Sequence, residues 1–267
     1  MSYEDLLYFD SLVHVTESGV WLNGRGGATP ERLVAALEQA APARACLVGI
    51  AGHGMPESLL QDVSGQHPDL LVPVAGVAPS ELKSAKAARD RLSGLKQAGF
   101  RGVKVHPRLN RVPLEGDHLA WVMEAAAAAE LPVFLCTHLV GSPSSAQAPS
   151  AGMVDALLRR HPDTPCLLLH GGTMELLDFS EVVRPFPKAY LDLSFTLLRY
   201  RGSSVDLDLR FVLEKLDQRC TVGSDFPEYQ PAAARQRTLE LMEGLPREKV
   251  ENVLFRNLSA LLGLPPG

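Results

Sequence analysis

Long hydrophobic runs, cysteine pairs and an excess of basic charge are all missing from this chain of 267 residues. No apolar stretch reaches the length needed to cross a bilayer, which excludes a helical membrane protein. The first residues, MSYEDLLYFD, are acidic where a secretory leader would be basic and then apolar, so no leader is expected. Net charge is −5, with 26 Lys and Arg interspersed among 31 Asp and Glu. That balance argues against a nucleic-acid arm or a basic membrane-surface helix. The four cysteines, Cys46, Cys136, Cys166 and Cys220, are scattered, each in or beside an apolar run. They read as reduced, buried thiols of a cytoplasmic protein rather than a disulfide framework.

What is present is a rhythm. Eight short apolar runs recur: LLYFDSLVHV (6–15), RACLVGI (44–50), LLVPVAGV (70–77), RGVKVH (101–106), PVFLCTH (132–138), PCLLLH (165–170), AYLDLS (189–194) and CTVGSD (220–225). Each is apolar almost throughout, as strands buried on both faces of a parallel sheet are. Amphipathic segments lie between them. TPERLVAALEQA opens with a Thr29 cap and Pro30 at the first helical position. SELKSAKAARDRLSGLKQAG starts at a serine and stops at Gly99. GDHLAWVMEAAAAAE, AGMVDALLRRHP and QPAAARQRTLELMEG follow, and PREKVENVLFRNLSALLG closes the chain. The expected fold is an α/β single domain over 1–267, a (β/α)8 TIM barrel with a C-terminal closing helix. A doubly wound open sheet is the rival, but it advertises a glycine-rich first turn. GRGGATPE (24–31) comes too late after the first strand and lacks the GxGxxG order. GSPSSAQAPSAG (141–152) reads as a long loop after the fifth strand.

Active sites of such barrels lie at the carboxyl ends of the strands. This sequence gathers its unusual residues there. His14 ends the first strand, Lys104 and His106 the fourth, Cys136 and His138 the fifth, His170 the sixth and Asp225 the eighth. Imidazoles and a carboxylate converging on one cavity form the ligand set preferred by borderline cations such as zinc. His53, after the second strand, could line the same mouth, whereas His67, His118 and His161 fall in helical or turn contexts. Strict alternation in YFDSLVHV would put Asp10, Leu12 and His14 on one face, with an apolar residue between two polar ones.

The order of these pieces resembles the metal-dependent amidohydrolases of the amidohydrolase 2 type, which include lactonases and decarboxylases of small carboxylated substrates. YFDSLVHV is similar to that family's opening D-x-H-x-H, HPDLLVPVAGVAP to its third strand, GFRGVKVHP to its fourth and LPVFLCTH to its fifth. LLLHGG, AYLDLS and VGSDFP resemble the sixth to eighth, and NVLFRNLSALLGL the closing helix, with Asn257 in the usual place. The resemblance implies a divalent metal, expected to be zinc, held by His14, His170 and Asp225, with Cys136 or His138 completing the set. Two positions depart from it: Leu12 stands where the family has a metal-binding His, and Cys136 where it has the fifth-strand His. A metal-free site therefore stays open beside the metal-bound one. In either, Asp225, His170 and His138 are the expected catalytic groups, water being activated by the metal and/or Asp225.

Lys104 reads either as a carbonyl-polarising lysine or as a strand-end cation paired with a carboxylate. Asp10 reads as a partner of His14 or a hydrogen bonder on the barrel floor, and Asp192 as a brace of the seventh strand. Arg108, Arg111, Arg199 and Arg201 sit on expected mouth loops. Guanidinium groups grip carboxylates bidentately. Lys104, His106, Arg108 and Arg199 are therefore the expected substrate-binding residues. The function expected is hydrolysis of a small carboxylated lactone, ester or amide. A decarboxylase on the same constellation, or a decayed barrel that only binds, are the alternatives. The expected partner is a small-molecule substrate, with no nucleic acid and no membrane; a homo-oligomer is left open.

Overall fold

The strands stand side by side in the order in which the chain makes them. The computed structural model describes residue 3, residues 5–139 and residues 148–265. The first half of the expected loop at 141–152 lies outside the described residues. The strands are β1 (Tyr8–Val13), β2 (Ala43–Val48), β3 (Leu71–Gly76), β4 (Val103–Val105), β5 (Val133–Cys136), β6 (Cys166–Leu169), β7 (Ala189–Asp192) and β8 (Cys220–Thr221). They form one eight-stranded sheet in sequential order, every pairing parallel. All eight coincide with the apolar runs. Helices pack outside, so strands carry Val, Leu and Phe on both faces and bury nearly all of them.

The seam between β8 and β1 closes the ring. Ser11 N donates to Val222 O at 3.0 Å, Asp225 N to Leu12 O at 2.9 Å and His14 N to Phe226 O at 2.9 Å. Asp10 staples that seam. Its Oδ1 accepts the Leu12 N–H at 3.1 Å and the Ser224 N–H at 2.9 Å, while Tyr8 OH donates to Oδ2 at 3.1 Å. Gly223 is needed there: a Cβ would lie 2.8 Å from Asp10 Oδ1 and closer still to Ser11 Oγ. Opposite, Asp192 accepts from Ser11 Oγ, Ser194 Oγ and Thr221 Oγ1, tying β1, β7 and β8 across the floor. Asp10 is thus a floor group, one of its two sequence readings, and Asp192 braces the end of β7, as expected of it.

Strict alternation along β1 does not hold. Asp10 pairs with Ala45 and Val13 with Leu47, so three steps on β1 match two on β2. This bulge breaks the row expected of Asp10, Leu12 and His14. Leu12 is fully buried in the main hydrophobic core, whereas His14 emerges at the mouth.

The helices confirm most of the expected segments. Pro30–Gln39 starts at Thr29, whose Oγ1 accepts from Arg32 N. The third-strand helix begins later than expected, at Ala85, with Ser84 and not Ser80 as its cap, because Pro79–Glu81 first makes a separate tight turn. The final segment is helical from Arg247 to Leu261 through a wider turn at Asn252–Arg256. Asn257 Nδ2 pins it to the base of β8 through Asp217 O at 2.6 Å and Cys220 O at 2.7 Å. Each of the four cysteines is buried and unpaired. No helix among the described residues is long and apolar enough to cross a membrane.

Burial raises the Asp10 carboxyl to about 7, against 3.8 for an ordinary aspartate, despite the N–H groups that favour its charged form. The folded state therefore holds this proton more tightly than the unfolded chain. Its contribution to stability is full below about pH 4 and is lost as pH rises through 7. Asp10→Asn keeps the Oδ1 acceptor and should remove this loss from a urea-unfolding series between pH 4 and 8. Asp10→Ala, which orphans two buried N–H groups, should cost about 3 kcal/mol. An unchanged pH dependence in Asp10→Asn would refute this account.

Candidate active site

A cavity of about 710 Å³ opens at the carboxyl ends of the strands. His14, Lys104, His106, Arg108, His138, His170, Arg199 and Asp225 all line it. The residues expected from strand ends therefore meet, although His14, His138, His170 and Asp225 come from four different strands. Cys136 is buried just beneath and does not line the cavity; its Sγ meets His106 Nε2 at 3.3 Å. His53 does not line it either, and Arg201 turns away to pair with Glu240 at 3.2 Å.

Three site residues occupy left-handed backbone: His170 (φ 68°), Phe195 (φ 64°) and Asp225 (φ 58°). None is glycine, so each costs conformational energy that the surrounding bonds must repay. Thr196 Oγ1 holds His170 O at 2.7 Å, and Leu12 O holds Asp225 N.

Proton positions follow from the partners. His14 Nδ1 lies against Val48 O, a pure acceptor, so Nδ1 carries the proton and Nε2 offers a lone pair. Lys104 Nζ lies 3.3 Å from that Nε2 and can only donate to it. Asp225 Oδ1 lies 3.5 Å from the same Nε2. Burial first, and then the Lys104 charge, hold the His14 imidazole well below its usual pKa, so it stays neutral. His170 is also held neutral, chiefly by burial and then by His138 and Lys104, and its Nδ1 faces Ser194 O at 3.3 Å. Burial lowers Lys104 and raises Asp225 to about 6; Lys104 and then His138 pull Asp225 back down.

Arg108 is 8% exposed, donates from one terminal nitrogen to His138 Nδ1 at 3.3 Å, and has a buried Nε with no hydrogen-bond partner. Among the described residues, Arg25, Arg108 and Arg199 pair with no carboxylate.

Sequence reasoning missed the residues that roof the cavity. Trp21 stacks on His14, ring centroids 5.0 Å apart, and donates its Nε1–H to Glu228 Oε1 at 2.6 Å. Phe195 packs edge-on against His138 at 4.7 Å and Tyr229 at 5.7 Å. Trp21 is one of only two tryptophans and sits in a glycine-rich loop, and Glu228 follows Asp225 by three residues. Those were the available signals.

The expected metal ligands do not fit a coordination sphere. Among the described residues, no three His, Cys, Asp or Glu side chains are placed to hold an ion. The reasons are specific. Leu12 has no donor atom and is fully buried in the hydrophobic core. His14 spends its lone pair on Lys104. Burial raises the Cys136 pKa, keeping it a thiol rather than a thiolate. The set His14, His138, His170, Asp225 and Cys136 thus shares one neighbourhood without forming a metal site.

A parallel eight-stranded ring with an acid–base cluster and cationic walls at its mouth defines a barrel enzyme. Residues 19–264 match the family described as Amidohydrolase, of the amidohydrolase 2 type, and the chain belongs to that family. No curated protein matches. Solved structures share the fold. An uncharacterised TIM-barrel protein from Bordetella bronchiseptica has a TM-score of 0.75 at 16% identity, over 97% of this chain and 99% of its own. A probable 2-pyrone-4,6-dicarboxylic acid hydrolase from Acinetobacter baumannii, with citric acid bound, has 0.70 at 15%, over 96% and 99%. A 5-carboxyvanillate decarboxylase from Novosphingobium aromaticivorans, complexed with manganese and a nitrobenzoic acid, has 0.71 at 13%, over 98% and 97%.

Long-range proton–nitrogen spectra of ¹⁵N-histidine protein should show His14 as the Nδ1–H tautomer, unchanged from pH 8 to pH 5.5. A titration midpoint near 6.5 would reject the neutral, Lys104-bound imidazole.

Proposed function

We propose that this chain, as one barrel domain, hydrolyses a small carboxylated lactone or ester, with Asp225 as the general base. One observation carries the reading: a single cavity holds a buried carboxylate poised near neutrality and a buried guanidinium without a carboxylate partner. An uncompensated buried charge is costly, so Arg108 calls for an anion from outside. Arg199 widens the cationic wall, and Arg25 lines the entrance.

The chemistry follows from where the groups stand. The carboxylate of the substrate is held by Arg108 and Arg199. Asp225, ionised above about pH 6, takes a proton from water as that water attacks the carbonyl carbon. His170 and His138, which line the same wall, orient the water and the leaving oxygen. Asp225 then returns the proton to that oxygen as the C–O bond breaks. Trp21 and Phe195 supply apolar surface that limits bulk water at the reacting atoms. Zinc is not carried into this reading, since among the described residues the donor atoms do not assemble around one. Four buried, unpaired thiols support a reducing, cytoplasmic setting.

Asp225→Asn should lower kcat about 10³-fold, within the range for loss of a general base. The wild-type kcat/KM should fall on the acid side with a midpoint near 6, since only the deprotonated carboxylate acts. A profile flat down to pH 5 would remove Asp225 from this role. Release of CO2 in place of the ring-opened acid would assign a lyase instead.

Arg108→Ala and Arg199→Ala should each raise KM about tenfold with kcat little changed, because a charge-assisted bond is worth roughly 1.5–3 kcal/mol. The same variants should lose discrimination between the carboxylated substrate and its methyl ester. Unaltered KM in both would show that the wall does not read the carboxylate.

A further inference from the structure

Two acceptors face each other at the centre of the site. His14 Nε2 has no proton, because Nδ1 spends it on Val48 O, and Asp225 Oδ1 lies 3.5 Å away. Nothing in that pair can donate while Asp225 is ionised, so the donor they need must come from a neighbouring group. The same lone pair of His14 cannot both accept an N–H and bind a metal ion. The group that meets it is the ammonium of Lys104, 3.3 Å from Nε2 and 2% exposed at the cavity wall.

We propose that Lys104 is the resident cation of this active site, its ammonium standing where a Lewis-acid metal would otherwise act. This rests on the hydrolytic reading above. Of its three N–H bonds, one goes to His14 Nε2. The others are available to the Asp225 side of the cavity and to the substrate carbonyl. The position explains two departures at once. Leu12 needs no donor atom because no ion requires a ligand there. Cys136 need not ionise, and its thiol instead meets His106.

The step balances without a metal. Water oxygen bonds to the carbonyl carbon, and Asp225 takes one water proton. The carbonyl π pair moves onto its oxygen, and a Lys104 N–H donates to that oxyanion. As the pair returns, the bond from carbon to the leaving oxygen breaks, and the proton on Asp225 passes to that oxygen. Lys104 ends with the protons it began with. It is neither a nucleophile nor a Schiff-base former here, which sets it apart from the usual barrel lysine.

The test uses purified full-length protein, metal analysis and Co²⁺ absorption. Wild type should contain well under one equivalent of metal, keep its hydrolysis of a carboxylated lactone after chelator dialysis, and show no d–d bands when Co²⁺ is added. Lys104→Met, matched in length and apolar, should fold with an unchanged circular dichroism spectrum and lose about 10²–10³-fold in kcat, the range for a lost oxyanion donor. Lys104→Ala removes the ammonium without adding a ligand, so it should lose kcat as Lys104→Met does and show no Co²⁺ bands. Stoichiometric metal in wild type that disappears in His14→Ala would overturn the proposal, as would full kcat in Lys104→Met. If wild type hydrolyses no lactone or ester, the functional reading fails. Metal analysis of wild type beside His14→Ala still decides whether an ion or the lysine holds the cation position.

Discussion

One carbonyl, that of Val48 at the end of β2, decides which nitrogen of His14 carries the proton. Everything downstream depends on that choice. With Nδ1 protonated, Nε2 is an acceptor, and only then can Lys104 donate to it. With Lys104 so held, its charge sits beside Asp225 and opposes the effect of burial on that carboxyl. The tautomer is therefore a consequence of sheet register. β1 and β2 are neighbours, and the bulge between Asp10 and Val13 delivers the ring of His14 to the Val48 carbonyl.

The ring of strands was legible because burial on both faces leaves a plain mark. A parallel strand has no polar face, so eight apolar runs at helix-length spacing admit few architectures. The strand-end residues were legible for the same reason, since a His or Asp closing an apolar run has little structural excuse. The β1 bulge was not legible. Alternation is a two-residue rule, and a single inserted residue leaves no compositional trace. Leu12 was therefore placed in a row that the backbone does not make. Lys104 could be seen at its strand end, but its partner could not, because His14 is 90 residues away and a carboxylate was the ordinary guess. Trp21 and Glu228 belong to loops, whose paths no periodicity reports. The delayed cap at Ser84 was hidden by Pro79, which starts a tight turn of its own.

Charge in the cavity has a consistent direction. Among the described residues, Asp225 and Glu228 are the carboxylates that face Arg25, Lys104, Arg108 and Arg199 in the cavity. Glu228 already accepts from Trp21 and Asn23, and Asp225 answers Lys104. The arginines are what remains. His14, His106 and His170 do not add to the excess, because burial keeps them neutral. These three neutral imidazoles beside fixed guanidinium groups leave the positive potential of the site to its arginines and lysine.

Backbone strain bears on whether such a site is a relic. His170, Phe195 and Asp225 each sit at positive φ without being glycine. Such residues cost on the order of 1–3 kcal/mol apiece and persist only where surrounding structure over-determines them. Here the supports are themselves buried polar groups. Thr196 reaches His170 O, Asp192 gathers Ser11, Ser194 and Thr221, and Asp10 fixes the turn that carries Asp225. A barrel used only as a scaffold would be more stable with apolar residues at these points and relaxed turns above them. Keeping both the strain and the buried network favours a site held in shape for chemistry over a decayed one that merely binds.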